Sequence, residues 1–178
     1  MSDLSHIERL ATRLWWITSA LLVLLPTLVI GWLFWGYAHP DWLARSFPAL
    51  PEATALTGQK SMVVVLLGAV GLVPVLYTLG RMRDLFARYR RGEILSPACA
   101  RAICRSGIAL SVLALWQTVV VPLQILVLTF DNPAGQKQLV LQISSEILWL
   151  LLAGSLLVVI GRVMAEAARV AEENAGFI

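Results

Sequence analysis

The sequence predicts an all-α, polytopic membrane protein: four transmembrane helices in a bundle, both termini cytosolic, with cytosolic extensions of helices 2, 3 and 4. Three observations lead there. Of the 178 residues, 58% are hydrophobic and 14% charged, where soluble domains carry about 25% charged residues. Charge is missing altogether from four long segments. The Lys and Arg residues crowd into the parts that share one side of such a topology.

Span one covers residues 14–38, and between Leu14 and Ala38 there is no Asp, Glu, Lys or Arg. Crossing about 30 Å of hydrocarbon takes about 20 helical residues. The run is far longer than the roughly 7 to 15 apolar residues of a signal peptide, so it reads as a retained anchor even though Gly36-Tyr37-Ala38 resembles a small-x-small cleavage site. Trp15 and Trp16 mark one interface, and Trp32, Trp35 and Tyr37 the other. Span two covers 61–80 and span three 106–130, both free of charge. Span four covers about 143–161, charge-free from Ile147 and extended back through a polar start at Gln142 to Glu146. Pro26, Pro74 and Pro122 lie near the middles of their spans, where a missing N–H and a bulky ring can kink a helix.

The connection between spans two and three has its own punctuation. Gly92 is a helix stop, and Ser96-Pro97 offers an N-cap followed by proline at the first helical position. Span two is therefore expected to run on to Arg91 and span three to begin at Pro97, which makes residues 81–105 a helical hairpin standing about 15 Å beyond the hydrocarbon. Past Gly161, residues 162–174 are expected to extend span four in the same way. Arg162, Glu166, Arg169 and Glu173 follow at spacings of three and four, near one helical face. Glu166 and Glu173 either pair within that helix, for a few tenths of a kcal/mol each, or face the hairpin arginines. Leu79-Gly80-Arg81 and Ile160-Gly161-Arg162 recur 81 residues apart and raise the question of two tandem hairpins.

Net charge is +3, yet seven arginines fall between residues 81 and 105. With Arg9, Arg13, Arg162 and Arg169 they make eleven basic residues on the side of the termini, against Arg45, Lys60 and Lys137 on the other. The positive-inside rule then puts the termini and hairpin in the cytoplasm. Arg83, Arg88, Arg90, Arg91, Arg101, Arg105, Glu166 and Glu173 are candidates for docking a cytosolic protein or anionic lipid headgroups, the latter attracting each basic residue by about 1 kcal/mol. Nucleic acid is not expected, because only Phe86 and Tyr89 are near enough to stack on bases.

Within the bilayer, Gln117, Gln124, Gln142 and Glu146 form a candidate polar cluster. It reads either as an outward pocket for a cation or small polar solute, or as interhelical hydrogen bonds worth about 0.6 kcal/mol each. No nucleophile–base–acid set, phosphate loop or dinucleotide fingerprint occurs. His6 and His39 are assigned to opposite sides, and Cys99 and Cys104 sit about 140° apart on a helix, so no cofactor or metal is expected. The favoured function is a non-enzymatic membrane protein that scaffolds or regulates a partner. The alternative is a small oligomeric transporter or channel-like protein.

The run from Phe86 to Arg105, with its core Arg91-Gly92-Glu93-Ile94-Leu95-Ser96-Pro97, resembles the loop of a bacterial four-span family catalogued as domain of unknown function 2975. That family tends to end in an acidic helix and a Glu-Asn tip, resembled here by Glu173-Asn174-Ala175-Gly176-Phe177-Ile178. The similarity covers the second half well and the first two spans by hydropathy. Cys99 and Cys104 depart from it, standing where polar residues or leucine are more usual, which bears on packing at the start of span three. The resemblance implies a multi-pass protein of the bacterial cytoplasmic (inner) membrane. Because members are often encoded beside small helix-turn-helix regulators, it also implies a regulatory partner of that kind.

Overall fold

The structure, a computed structural model, describes residues 2–48, 50–51, 54–93, 96–133 and 144–175, with side chains from residue 8 to 173. The elements are α1 (Ser2–Ala38), the short α2 (Trp42–Ser46), α3 (Gly58–Val70), α4 (Leu72–Tyr89), α5 (Pro97–Thr129) and α6 (Ser145–Ala175). Four units are long and apolar enough to cross a membrane: α1, α3 with α4, α5 and α6. The fold is thus all-helical among the described residues and that of a four-span membrane protein.

Packing follows chain order. α1 lies against α3 and α4, these lie against α5, and α5 carries α6. The bundle is therefore open, with α1 and α6 at its margins. Most large apolar side chains of α1, Val23 and Phe34 among them, face outward where lipid would lie. Trp15 of α1 sits under Arg83 and Arg90 of the α4 end, and Gly161 of α6 meets Cys104 of α5. The start of α1, the α4–α5 turn and the end of α6 consequently share one end of the molecule.

The α5–α6 seam is the closest packing in the protein. Along α6 the buried positions are Ile147, Gly154, Gly161 and Ala168, a strict repeat of seven. A seven-residue repeat drifts against the 3.6-residue turn and is accommodated by a left-handed supercoil. Facing it on α5 are Ala100, Cys104, Gly107 and Ser111, also small, and small residues are what let membrane helices bring their backbones together. A Cβ on Gly107 would lie 2.5 Å from the Gly154 carbonyl oxygen, and one on Gly161 2.6 Å from the Cys104 backbone nitrogen. Gly80, by contrast, has open space around its Cβ position. The two glycines of the 81-residue recurrence do different jobs.

Span two is broken where Pro74 requires it. The proline ring takes the space of the carbonyl four residues back and donates nothing to it. That residue is Val70, where α3 ends; Gly71 makes a tight turn, its N–H bonding to the Gly68 carbonyl at 3.0 Å, and α4 resumes at Leu72. Pro26 and Pro122 lie inside continuous helices.

At the end away from the termini, α2 folds over the bundle. Leu43 is fully buried against Val64 and Leu128, and the Trp42 indole donates to Ser61 Oγ at 2.9 Å. Lys60, whose side chain is only 11% exposed, donates to the Leu128 carbonyl at 3.0 Å and pairs with Asp131 at 3.3 Å. Leu128 is among the last residues of α5, whose carbonyls lack helical partners and carry the negative end of the helix dipole.

The α4–α5 turn is closed from both sides. Gly92 adopts φ +76°, the Glu93 N–H bonds to the Arg88 carbonyl at 3.2 Å, and the Gly92 N–H bonds to Tyr89 at 3.1 Å. This double closure is the Schellman arrangement that satisfies a helix's last carbonyls. α5 then starts with Ser96 accepting from the Cys99 N–H at 3.3 Å and Pro97 at the first position. Helix α4 ends at Tyr89, two residues before the expected Arg91, because the αL residue must be Gly92 and its preceding residues form the turn.

Two substitutions test these contacts. Gly161→Ala should lower the unfolding free energy of the detergent-solubilised protein in an SDS titration by about 1–3 kcal/mol, the range for overpacking. Gly80→Ala should leave it unchanged or raise it, alanine being the better helix former by about 1 kcal/mol. In the same assay Gly92→Ala should lose about 1–2 kcal/mol through its left-handed backbone.

Candidate functional site

The arginine hairpin has a core of its own. Cys99 is fully buried with Leu85 and Ala102, flanked by Tyr89 and Ile103. Its thiol donates to the Glu93 carbonyl at 3.3 Å, and the Ser96 hydroxyl reaches the sulfur at 3.2 Å. The small polar thiol thereby ties the turn to the first turn of α5, which leucine could not do. Cys104, the second departure from the family pattern, lies in the seam with α6, against Gly161.

Around this core the arginines divide by the direction in which their helix faces them. Arg83 and Arg90 lie over the Trp15 ring of α1, at 4.9 and 5.5 Å from its centre. Such cation–π contacts are worth about 0.5–1 kcal/mol at exposed sites. Arg88 and Arg91 pair with Glu93 at 3.3 and 3.6 Å, bracing the turn. Arg101 and Arg105 are exposed and join Arg81 and Arg88 around a cleft of about 140 Å³ that also contains Asp84. Helical spacing assembles this cleft: Arg81 and Arg88 are seven apart on α4, Arg101 and Arg105 four apart on α5, so each pair shares a face. Arg81 is further held over the Tyr77 ring at 5.0 Å and beside Asp84 at 3.7 Å. The planar forks of guanidinium groups match the oxygens of a phosphate or carboxylate, so the cleft is suited to an anion.

Glu166 and Glu173 do not face the hairpin. Both pair with Arg169 of their own helix, Glu173 at 2.8 Å and Glu166 through two guanidinium nitrogens. Each lies five residues past a seam residue, Gly161 or Ala168, which turns it about 140° away from α5. The hydrogen bond from Arg169, and then its charge, hold the Glu166 carboxyl below its ordinary range. The base of this part of α6 is joined to the hairpin all the same, by Gly161 against Ala100 and Cys104, and Ala168 one repeat further on is almost fully buried.

Of the candidate intramembrane polar residues that the structure describes, Gln117 and Gln124 share one cavity and Glu146 does not join them. Gln117 and Gln124 line a cavity of about 800 Å³ between α1, α3, α4 and α5, with Trp42 and Phe47 of the α2 region beside them. Gln124 donates to the Val64 carbonyl at 2.9 Å. Glu146 stands exposed in the first turn of α6, outside this lining, because α6 packs on α5 and not on the cavity-forming helices. Gln142 lies outside the described residues.

Several roles were not anticipated from the sequence. Arg81 and Asp84 complete the anion cleft, Trp15 anchors two arginines, and Lys60 caps α5. The Trp116 indole N–H is buried against Gly71 without a hydrogen-bond partner among the described residues. A signal existed for the first of these, since Tyr77, Arg81 and Arg88 fall on one face at spacings of four and seven.

The model of the family described as Protein of unknown function (DUF2975) matches residues 17–178, and the chain belongs to that family. No curated protein and no solved structure matches it.

Proposed function

We propose that this DUF2975 member is a non-enzymatic protein of the bacterial cytoplasmic membrane that presents its hairpin tip and the end of α6 to the cytosol as a docking surface for a regulatory protein. The observation that carries the reading is a tip whose two described flanks are hydrogen-bonded into the helix ends and still exposed. The Schellman closure, the Ser96 cap and the buried Cys99 hold its backbone, while Arg90 and Arg91 stay at the surface. A surface ordered in advance lowers the entropy lost on binding. The mixed-charge face of α6, with Arg169 between Glu166 and Glu173, stands at the same end.

Cytosolic placement is supported by the bias of eleven basic residues over three. The kind of partner suggested by the family resemblance is a small helix-turn-helix regulator. Transport is the weaker reading: one of the two glutamines in the large cavity is committed to the Val64 carbonyl, and the rest of the lining is almost wholly apolar.

Crosslinking pull-down from native membranes with the full chain as bait should recover such a regulator. The double variant Arg90→Glu/Arg91→Glu should reduce its recovery at least tenfold while membrane insertion stays normal. Undiminished recovery would reject the docking reading, and a reporter placed at Gly92 that is active only outside the cytoplasm would reject the orientation.

A further inference from the structure

The anion cleft does not end at its arginines. On the membrane side it continues into a second groove between the same two helices, about 340 Å³ in volume, and Arg105 lines both. The second groove is apolar: Val73, Pro74 and Tyr77 form its α4 wall, and Ile108, Ala109 and Val112 its α5 wall. Residues 73, 77, 81, 84 and 88 of α4 advance in steps of three and four, as do 101, 105, 108 and 112 of α5, so each wall is one continuous helical face. Going from the turn toward the bilayer, each face changes from charged to apolar within one helical turn. On α4 the change falls at Tyr77 and Arg81, on α5 at Arg105 and Ile108.

This is the profile of an amphiphile with an anionic head. Four guanidinium groups surround the cleft and Asp84 is the one carboxylate lining it; Arg101 and Arg105 have no carboxylate partner among the described residues. The stretch from Arg105 to Val112 runs about 10 Å along α5, within the roughly 15 Å depth of one leaflet's hydrocarbon. Val112 and Ile108 are exposed, so the groove opens sideways to where lipid tails lie.

We infer that the α4–α5 groove binds one anionic phospholipid of the adjoining leaflet, its phosphate held by Arg81, Arg101 and Arg105 and an acyl chain lying along Val73, Tyr77, Ile108 and Val112. Arg88, partly engaged by Glu93, borders the head. The charge excess at the mouth selects an anion. The apolar continuation distinguishes a lipid from a free phosphate compound, which would leave that groove empty. The site is separate from the proposed docking tip, since Arg90 and Arg91 do not line either part, and one can fail without the other.

Native mass spectrometry of the full chain in detergent tests the inference, with dioleoylphosphatidylglycerol and dioleoylphosphatidylcholine as probes and glycerol 3-phosphate as a head-only competitor. The glycerol lipid should be retained at least tenfold more tightly than the choline lipid and should resist the competitor. Arg101→Ala/Arg105→Ala should abolish the preference. Val112→Trp, which fills the groove at an exposed position without touching charge, should weaken retention of the glycerol lipid at least fivefold. Arg83→Ala/Arg90→Ala, on the Trp15 side, should retain it as the unaltered chain does. Equal retention of the two lipids would overturn the proposal, as would equal losses from the two arginine pairs. Efficient competition by glycerol 3-phosphate together with indifference to Val112→Trp would also overturn it, in favour of a site for a soluble phosphate.

Discussion

The arrangement at the arginine-bearing end depends on how closely α5 and α6 approach. Hydrocarbon gives helices no hydrophobic reason to associate, so shape has to supply the attraction. Gly107, Gly154 and Gly161 do so by removing every atom that would hold the backbones apart, and Ile147 and Ala168 continue the same line at either end. Because the repeat continues past the apolar segment to Ala168, the contact does not stop at the membrane surface. It brings α6 against the base of the hairpin, where Gly161 meets Ala100 and Cys104.

The rest of the bundle is tied by polar devices placed where the helices are interrupted. Pro74 breaks span two at Gly71, and the glycine leaves room for Trp116 of α5 to come against the gap. Gln124 adds a hydrogen bond to Val64 one helix away. Lys60 reaches across to the last turn of α5, where its ammonium group is stabilised by both the Leu128 carbonyl and Asp131. These contacts join α3, α4 and α5. α1 packs along α3 and α4 and is further held by Trp15 below the arginines and by Gly36 and Tyr37 beside Trp42 and Gly58.

Much of this was legible beforehand. Charge-free length marks spans with little ambiguity, and Gly92 followed by Ser96-Pro97 marked the hairpin turn through backbone requirements that few other residues meet. What stayed hidden was rotation. Glu166 and Glu173 lie within reach of Arg169 whichever way α6 turns, so their spacing alone could not show whether they face the hairpin. The answer was in the sevenfold repeat of small residues, which fixes the contact face and turns the carboxylates outward. The grouping of Gln117, Gln124 and Glu146 depended on which helices are neighbours, and an open order of packing separates residues that a closed ring would have gathered. The break at Gly71 was foreshadowed by Pro74, but equally by Pro26 and Pro122, whose helices run through. Trp116 seated on Gly71 distinguishes the first case, and nothing in a linear pattern reveals that pairing.

Trp15 carries a mechanical implication. An indole favours the headgroup boundary, where its flat apolar body and polar edge are both accommodated. Two guanidinium groups of the neighbouring helix rest on that one ring. The ring thus couples two elements that the chain keeps far apart: the depth at which α1 seats its indole also sets where the basic elbow rests.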